Sequence, residues 1–193
     1  GLQFSRSGVS VLGLDIDSAK VEKLNRGESY IHHISSDAVR EQRQERRFEA
    51  SEDFSRIREV EAVVICVPTP LNKNREPDIS YVLETGKMIA PHLRKGTLVV
   101  LESTTYPGTT DEDLRAVLES GSGLKAGVDF HLAFSPERED PGNPDSKVAS
   151  IPKVVGGYTS ACLDRAKALY SKAIKTIVPV SSCRAAEATK LLE

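Results

Sequence analysis

Residues 97–110 read TLVVLESTTYPGTT, and this stretch decides the predicted fold. Residues 97–101 form a short, largely apolar run, which is typical of a strand buried on both faces of a parallel sheet. A cluster of hydroxyl groups follows at the carboxyl end of that strand, where open α/β sheets bind their ligands. We therefore expect Ser103, Thr104 and Thr105 to face a ligand, with capping of the next helix as the alternative.

The second half of the same stretch predicts a helix that begins at Thr110 and ends near Leu118. Thr109 with Glu112, and Thr110 with Asp113, each fit a capping box, in which side chains satisfy free backbone N–H groups at the helix start. The acidic residues of the first turn also suit the positive end of the helix dipole. Capping therefore accounts for these two threonines, but less well for the hydroxyls that precede the Pro-Gly turn.

Composition and charge are ordinary: of 193 residues, 39% are hydrophobic and 28% are charged, and the formal net charge is -2. A chain of this length can form one well-cored domain. The near-neutral charge gives no electrostatic reason to expect nucleic acid or an anionic membrane as partner. No apolar run approaches the ~20 residues that span a bilayer, and no signal peptide is visible.

The cysteines are three in number and far apart, at Cys66, Cys162 and Cys183. This odd number and wide spacing argue against a disulfide framework and against a zinc site. We therefore expect no bound metal and a cytoplasmic location.

Apolar runs alternate with helical segments through nearly the whole chain. The predicted strands are residues 9–14, 47–50, 61–67, 97–101, 129–134, 151–157 and 176–180. The predicted helices between them are residues 19–25, 36–46, 53–58, 78–89, 110–118 and 159–173. This alternation predicts an α/β fold with a doubly wound, mostly parallel sheet of the Rossmann-like class.

Residues 1–14 read as the tail of a helix that ends at a glycine, followed by a strand, and Asp15 comes next. In a Rossmann unit this order follows the phosphate-binding loop, and an acid at the tip of the second strand holds the ribose hydroxyls of adenosine. On this interpretation the first strand and the glycine loop precede Gly1 and are missing from this chain. Asp17 and Ser18 are the better N-cap candidates for the following helix. Asp15 is then left for a ligand, with strand termination or capping as the alternative.

Two more predicted strands end in polar elbows. Residues 61–67 run into Pro68-Thr69-Pro70, where two prolines hold an extended turn that suits close approach of a nucleotide. Residues 129–134 run into Ser-Pro-Glu137, and this glutamate is a candidate acid/base at the same sheet edge as Thr104. The alternative for the first elbow is an ordinary loop in which the prolines only end the strand. The alternative for the second elbow is a loop exposed to solvent.

Six segments taken together resemble the UDP-glucose/GDP-mannose dehydrogenase family. They are residues 15–17 (DID), 27–31 (GESYI), 64–70 (VICVPTP), 102–110 (ESTTYPGTT), 135–143 (SPEREDPGN) and 151–157 (IPKVVGG). The segments occur in the family's order and span almost the whole chain, although each alone is a weak signal.

The resemblance implies an NAD-dependent, two-step oxidation of a UDP-sugar, in which the C6 alcohol becomes an aldehyde and then a carboxylate while two NAD molecules are reduced. The cofactor-binding residues that it implies are Asp15, Lys20, Val67, Pro68, Thr69, Pro70, Ser103, Thr104 and Thr105. Asp15 would bind the adenosine ribose with Lys20 near it, and residues 103–105 would contact the nicotinamide half. Thr104 would also help to hold a catalytic water, and Glu137 would be the acid/base in thioester hydrolysis.

The resemblance also implies features that we do not find in these residues: the family's glycine loop, its nucleophilic cysteine, and the lysine and asparagine that stabilise the oxyanion. We expect residues 1–182 to be an incomplete NAD-binding domain. Residues 183–193 are then the start of a helix that connects to an absent second domain and builds a homodimer or higher oligomer. The fragment alone is expected to be inactive.

Residues in two segments favour one substrate branch of the family, the N-acetylhexosamines. Pro141 stands where the glucose-specific branch has a second glutamate, and residues 29–31 point the same way. Two other classes stay open: a nucleotide-binding module without turnover, and another Rossmann oxidoreductase such as a hydroxyacid dehydrogenase. The elbows at residues 68–70 and 135–137 speak against the latter.

Overall fold

The computed structural model describes residues 1–31, 34–71, 77–137 and 151–191. The strands are β1 (Val11–Leu14), β2 (Phe48–Ser51), β3 (Ala62–Ile65), β4 (Leu98–Leu101), β5 (His131–Phe134), β6 (Lys153–Gly157) and β7 (Ile177–Val180). The α-helices are α1 (Leu2–Arg6), α2 (Ser18–Asn25), α3 (Ser36–Gln44), α4 (Ser80–Ile89), α5 (Arg115–Ser122), α6 (Ser160–Tyr170) and α7 (Cys183–Leu191). Phe54–Glu59 and Ala90–His92 are short 3-10 helices, and Thr109–Leu114 is a π-helical segment. Across these ranges no helix combines the length and apolarity that crossing a membrane requires.

The strands form two sheets whose pairs are parallel with one exception. β1 pairs with β2, and the larger sheet has the order β3-β4-β5-β6-β7. β3 with β4, β4 with β5, and β6 with β7 are parallel, whereas β5 with β6 is antiparallel. The prediction of a Rossmann-like α/β fold with a mostly parallel sheet is confirmed.

The reversed strand β6 was not predicted, and it determines which residues share an edge. Ala133 lies opposite Gly157, and Phe134 lies opposite Gly156. β6 therefore begins at the edge where β4 and β5 end. Lys153, the first residue of β6, consequently lies beside the residues that follow those two strands.

β4 lies at the centre of the core, and each of its four residues is at most 1% exposed. Val99 and Leu101 pack in the cluster that includes residues of α4, α5 and α7. Leu98 and Val100 pack on the other side, in the cluster that includes Ala166 and Tyr170 of α6. Helices therefore cover both faces of β4, as its continuous apolar run predicts.

The two capping boxes predicted at Thr109 and Thr110 are wrong. The Thr109 hydroxyl donates to the carbonyl of Tyr106 at 2.9 Å, and the Thr110 hydroxyl donates to the Glu187 carboxylate at 2.7 Å. The backbone N–H groups of Gly108 and Thr110 also donate to Glu187, at 2.8 and 2.9 Å. A buried carboxylate from α7 thus satisfies the N–H groups that the local side chains were expected to cap.

Other predicted helix starts are confirmed. Asp17 is the N-cap of α2 and accepts from the Ala19 N–H at 3.0 Å. Thr159 is the N-cap of α6 and accepts from the Cys162 N–H at 3.2 Å.

Two glycines end β6 because helices pack directly against its backbone. A Cβ added to Gly156 would lie 2.1 Å from the carbonyl oxygen of Ser182, just before α7. A Cβ added to Gly157 would lie 2.3 Å from the backbone nitrogen of Leu163 in α6. The Gly-Gly pair therefore lets α6 and α7 approach the sheet closely.

Candidate functional site

The larger sheet brings three of the predicted groups to one edge. Residues 67–70 follow β3, residues 103–105 follow β4, and Glu137 follows β5. Because these three strands are parallel neighbours, their carboxyl ends meet at the same edge. Ligands of open α/β sheets bind at this position. The predicted segment 135–143 is described only as far as Glu137, and Pro141 lies outside the described residues.

Ser103 joins the first two groups. It is 5% exposed, and its hydroxyl both donates to the Val67 carbonyl at 2.7 Å and accepts from the Val67 N–H at 3.0 Å. The hydroxyl is therefore occupied by the backbone of the elbow that contains Pro68, Thr69 and Pro70. In this structure Ser103 positions the elbow, and its predicted contact with a ligand stays a prediction.

Thr104 and Thr105 have opposite environments. Thr104 is exposed at the sheet edge. Thr105 is 1% exposed, and its hydroxyl has no hydrogen-bond partner among the described residues. Because a buried unpaired polar group costs about 1–3 kcal/mol, it is the kind of group that a bound ligand or an ordered water satisfies. The edge therefore fits a polar cofactor.

Asp15 and Lys20 form a second polar group, at the tip of β1. The Lys20 ammonium lies 3.6 Å from the Asp15 carboxylate and 5.7 Å from the ring centre of Tyr30. One Asp15 oxygen accepts from the Asp17 N–H at 2.9 Å, and the side chain is 31% exposed. A carboxylate has about four acceptor sites, so Asp15 can accept further hydrogen bonds from ribose hydroxyls.

An ionic cluster, largely buried at Lys153 and Glu102 and half-exposed at Glu137, connects β4, β6 and α6, and it was not predicted from the sequence. The Lys153 ammonium lies 3.0 Å from the Glu102 carboxylate and 3.3 Å from that of Glu137. The Tyr170 hydroxyl donates to Glu102 at 2.5 Å. The pKa of Tyr170 is raised well above 10, mainly because the hydroxyl is buried and secondly because the negative charge of Glu102 is adjacent. The lysine within the apolar run IPKVVGG was the signal that could have revealed this cluster.

The helix α7 adds two residues to the site. The Lys190 ammonium donates to the backbone carbonyl of Glu137 at 2.8 Å. Glu187, fully buried, holds the backbone at Gly108 and Thr110. No site residue was predicted in this helix, although the charges at positions 187 and 190 lie one turn apart on one helix face.

The cysteine nearest to the site is Cys66, directly after β3. Its thiol donates to Glu102 at 3.4 Å. The residue is exposed, but desolvation of the thiol and the neighbouring carboxylate of Glu102 raise the pKa of Cys66 to about 12. Cys162 and Cys183 are free and buried. Since the thiolate is the nucleophilic form, Cys66 does not have the properties of a catalytic nucleophile.

A small cavity of about 90 Å³ adjoins the ionic cluster. Its polar lining comes from residues that include Glu102, Glu137, Lys153 and Tyr170. A cavity volume of roughly 10–15 Å³ is enough to hold one water molecule. The cavity therefore has room for water next to the Glu137 carboxylate.

Comparison with known proteins identifies the family of this chain. The sequence profile of the UDP-glucose/GDP-mannose dehydrogenase family, NAD binding domain, matches residues 1–174. The chain belongs to this family. NAD is the cofactor that this domain of the family binds, and the orphaned Thr105 hydroxyl and the accessible Asp15 carboxylate are compatible with it. The roles of individual residues toward NAD stay predictions.

Several members of the family are similar over nearly all of this chain. UDP-N-acetyl-D-glucosamine 6-dehydrogenase of Pseudomonas aeruginosa is 32% identical over 190 residues, which are 95% of this chain and 43% of that protein. UDP-N-acetyl-D-mannosamine dehydrogenase of Pyrococcus horikoshii is 32% identical over 193 residues, or 100% of this chain and 46% of that protein.

A solved structure gives the same picture. The crystal structure of NDP-N-acetyl-D-galactosaminuronic acid dehydrogenase from Methanosarcina mazei superposes with a TM-score of 0.91 at 35% identity, covering 99% of this chain and 43% of that one. The chain thus spans less than half the length of the relatives it matches.

Proposed function

We propose that the protein containing this chain oxidises the C6 hydroxyl of UDP-N-acetylglucosamine to the uronate, for synthesis of a surface polysaccharide such as capsule or O-antigen. The observation that carries this proposal is the position of Glu137, whose carboxylate and carbonyl contact two lysines at the sheet edge that also holds Thr104. One sugar, two NAD⁺ and one water give one carboxylate, two NADH and three protons.

For the hydride-transfer steps, this chain supplies orientation. Bound NAD would supply the hydride acceptor for the two successive oxidations at C6. The elbow at residues 67–70, which Ser103 ties to the end of β4, and the hydroxyls of Thr104 and Thr105 would hold the nicotinamide half of the cofactor at the sheet edge. Fixing reacting groups in this way removes much of the entropic barrier.

For the hydrolytic step, Glu137 would act as the base. The resemblance to the family implies a thioester between the sugar C6 and a cysteine outside this chain. Water, oriented by Thr104, attacks the thioester carbon while Glu137 accepts its proton, the C–S bond breaks, and the sulfur leaves as thiolate. General base catalysis of this kind contributes about 10²–10⁴-fold. The chain alone, without that cysteine, is expected to be inactive.

The choice of sugar rests on two kinds of support. Pro141 occupies the position where the glucose-specific branch has a glutamate. Three similar proteins are named for N-acetylated hexosamine substrates or their products. UDP-N-acetylmannosamine and UDP-glucose are the alternatives. We also propose that residues 1–182 are the NAD-binding domain, that residues 183–193 begin a helix that contributes to a homodimer or higher oligomer, and that the protein is cytoplasmic.

The test is NADH formation by the full-length gene product with UDP-N-acetylglucosamine, UDP-N-acetylmannosamine and UDP-glucose offered separately. We expect two NADH per sugar with the first substrate. Preference for another sugar would overturn the substrate assignment and keep the reaction. NAD binding without NADH from any sugar would leave a nucleotide-binding module without turnover.

A further inference from the structure

The chemistry proposed above leaves one buried ionic group unused. Of the lysines and arginines that the structure describes, Lys153 alone is buried, and its side chain is 7% exposed. Its partner Glu102 has a side chain that is 12% exposed. Removing two charges from water is costly, and apolar replacements of buried ion pairs are often neutral or stabilising. Stability alone is therefore a weak reason for this pair.

The geometry of Lys153 points toward Glu137. Its ammonium lies 3.0 Å from Glu102 Oε1, 3.3 Å from the Pro136 carbonyl oxygen and 3.3 Å from Glu137 Oε2. The contacts with Pro136 and Glu137 are hydrogen bonds that the ammonium donates, and the contact with Glu102 is an ion pair. Two of the three oxygens belong to the segment that carries the predicted base.

The lysine is itself firmly held. Its backbone N–H donates to the Thr176 carbonyl at 2.9 Å in the ladder with β7. Glu102 is fixed in turn by the Tyr170 hydroxyl at 2.5 Å, and the ammonium lies 5.4 Å from the centre of the Tyr170 ring. Strand, carboxylate and aromatic ring thus restrict the side chain of Lys153 to one place.

We propose that Lys153 is a positioning residue for Glu137: anchored by Glu102 and Tyr170, it fixes the carboxylate that activates water in the hydrolytic step. This inference rests on the proposed function. The residue acts through Glu137 and contacts neither cofactor nor sugar. Without it, oxidation to the thioester proceeds while hydrolysis slows.

The test uses the full-length protein and a variant that removes both buried charges. Lys153→Met alone leaves Glu102 as an uncompensated buried carboxylate, which is strongly destabilising. Lys153→Met combined with Glu102→Gln avoids this penalty. The matched control is Lys87→Met combined with Glu84→Gln, an exposed pair at 2.7 Å on α4. Lys153→Arg tests whether a cation of different shape restores function.

Turnover kinetics give the first readout. In the neutral double variant we expect the steady-state kcat to fall about tenfold or more, while the first turnover still releases two NADH and the covalent sugar adduct accumulates, as seen by intact-protein mass spectrometry. The triple variant that combines Glu137→Gln with the two neutral substitutions should be no slower than Glu137→Gln alone, because residues that act as a unit are non-additive. Lys153→Arg should recover part of the rate, and the control pair should leave it unchanged. The proposal would be overturned if the neutral substitutions slowed Glu137→Gln by the same factor as they slow the wild type. An unchanged kcat in the neutral double variant would also overturn it.

Hydrogen exchange without substrate gives a second readout that does not depend on turnover. We expect the amide of Ser135, which donates to the Leu101 carbonyl at 3.0 Å at the start of this segment, to exchange about tenfold faster in the neutral double variant, since a lost contact lowers the local opening energy. Unchanged exchange would overturn the positioning role. If the wild type makes no NADH from any sugar but the double variant still shows this faster exchange, the proposed function is refuted while the contact between Lys153 and the Glu137 segment is retained.

Discussion

Glu187 is a carboxylate buried among backbone N–H groups, and its protonation should affect stability. Burial raises the pKa of Glu187 above its ordinary value of 4.5, and hydrogen bonds from Thr110 and Gly108 offset part of that rise. The folded chain therefore binds this proton more tightly than the unfolded chain does. By linkage, the stability contribution of Glu187 is fully present below the unfolded pKa and is lost as pH rises through the folded pKa.

We predict that replacing Glu187 with glutamine removes this part of the pH dependence. Unfolding free energies from urea denaturation, measured from pH 4 upward, should decline less steeply in Glu187→Gln than in the wild type. At neutral pH the variant should be less stable by about 1–3 kcal/mol, because its amide places a donor against a backbone N–H. Because the two proteins share all other carboxylates, the difference between their unfolding free energies at each pH isolates the contribution of Glu187. A difference that does not change with pH would contradict the prediction.

Hydrogen bonds between residues close in sequence were predictable, and those between residues far apart in sequence were not. Asp17 and Thr159 cap helices that begin within three residues of them, so the pattern alone identified them. Thr110 also fitted a local pattern, but its partner Glu187 lies 77 residues away in sequence. Only the packing of α7 shows that the Thr110 hydroxyl bonds to Glu187 and does not form the capping box with Asp113.

Among the glycines that lie within strands, Gly156 and Gly157 of β6 are the ones against which helical segments pack most closely. We predict that Gly156→Ala destabilises the chain by about 1–3 kcal/mol or more, because overpacking forces α7 away from the strand. Gly13→Ala on β1 is the control, since its nearest neighbour would be the Phe48 ring at 3.4 Å. Urea midpoints measure both variants. Equal midpoints for the two would refute the packing explanation.

The direction of β6 shows what element-level prediction could not reach. Its apolar run identified it as a strand, since a continuous apolar pattern fits any strand covered on both faces. The same pattern is compatible with parallel or antiparallel pairing, so it could not show that β6 pairs with β5 in the antiparallel direction. For this reason sequence reasoning found Glu137 at the ligand edge but missed Lys153.

In the whole molecule, burial is concentrated at β4 and decreases toward the sheet edges. β4 is fully buried between β3 and β5, whereas β7 at the edge of the larger sheet has two exposed residues among its four. We predict that β4 amides exchange with solvent only through global unfolding, and that β7 amides exchange at least about tenfold faster through local opening. Hydrogen exchange followed by mass spectrometry measures this. Equal protection of the two strands would contradict it.

The fold class was predictable for the whole molecule because alternating strands and helices leave few possible arrangements. The candidate site was predictable in part, since parallel strands bring Thr104 and Glu137 to one edge. The contributions of α6, α7 and the reversed strand depend on tertiary contacts between distant segments, and these have no short sequence pattern.

The reversal of β6 also bears on how this protein can evolve. Glu137 and Lys153 are neighbours because two antiparallel strands meet, so the sheet register sets their separation and the number of intervening residues does not. A change within β5 or β6 that shifted this register by one residue would turn the side chains to opposite faces and separate the acid from its lysine. The pairing of the two strands is therefore itself a constraint on which changes in β5 and β6 can be accepted.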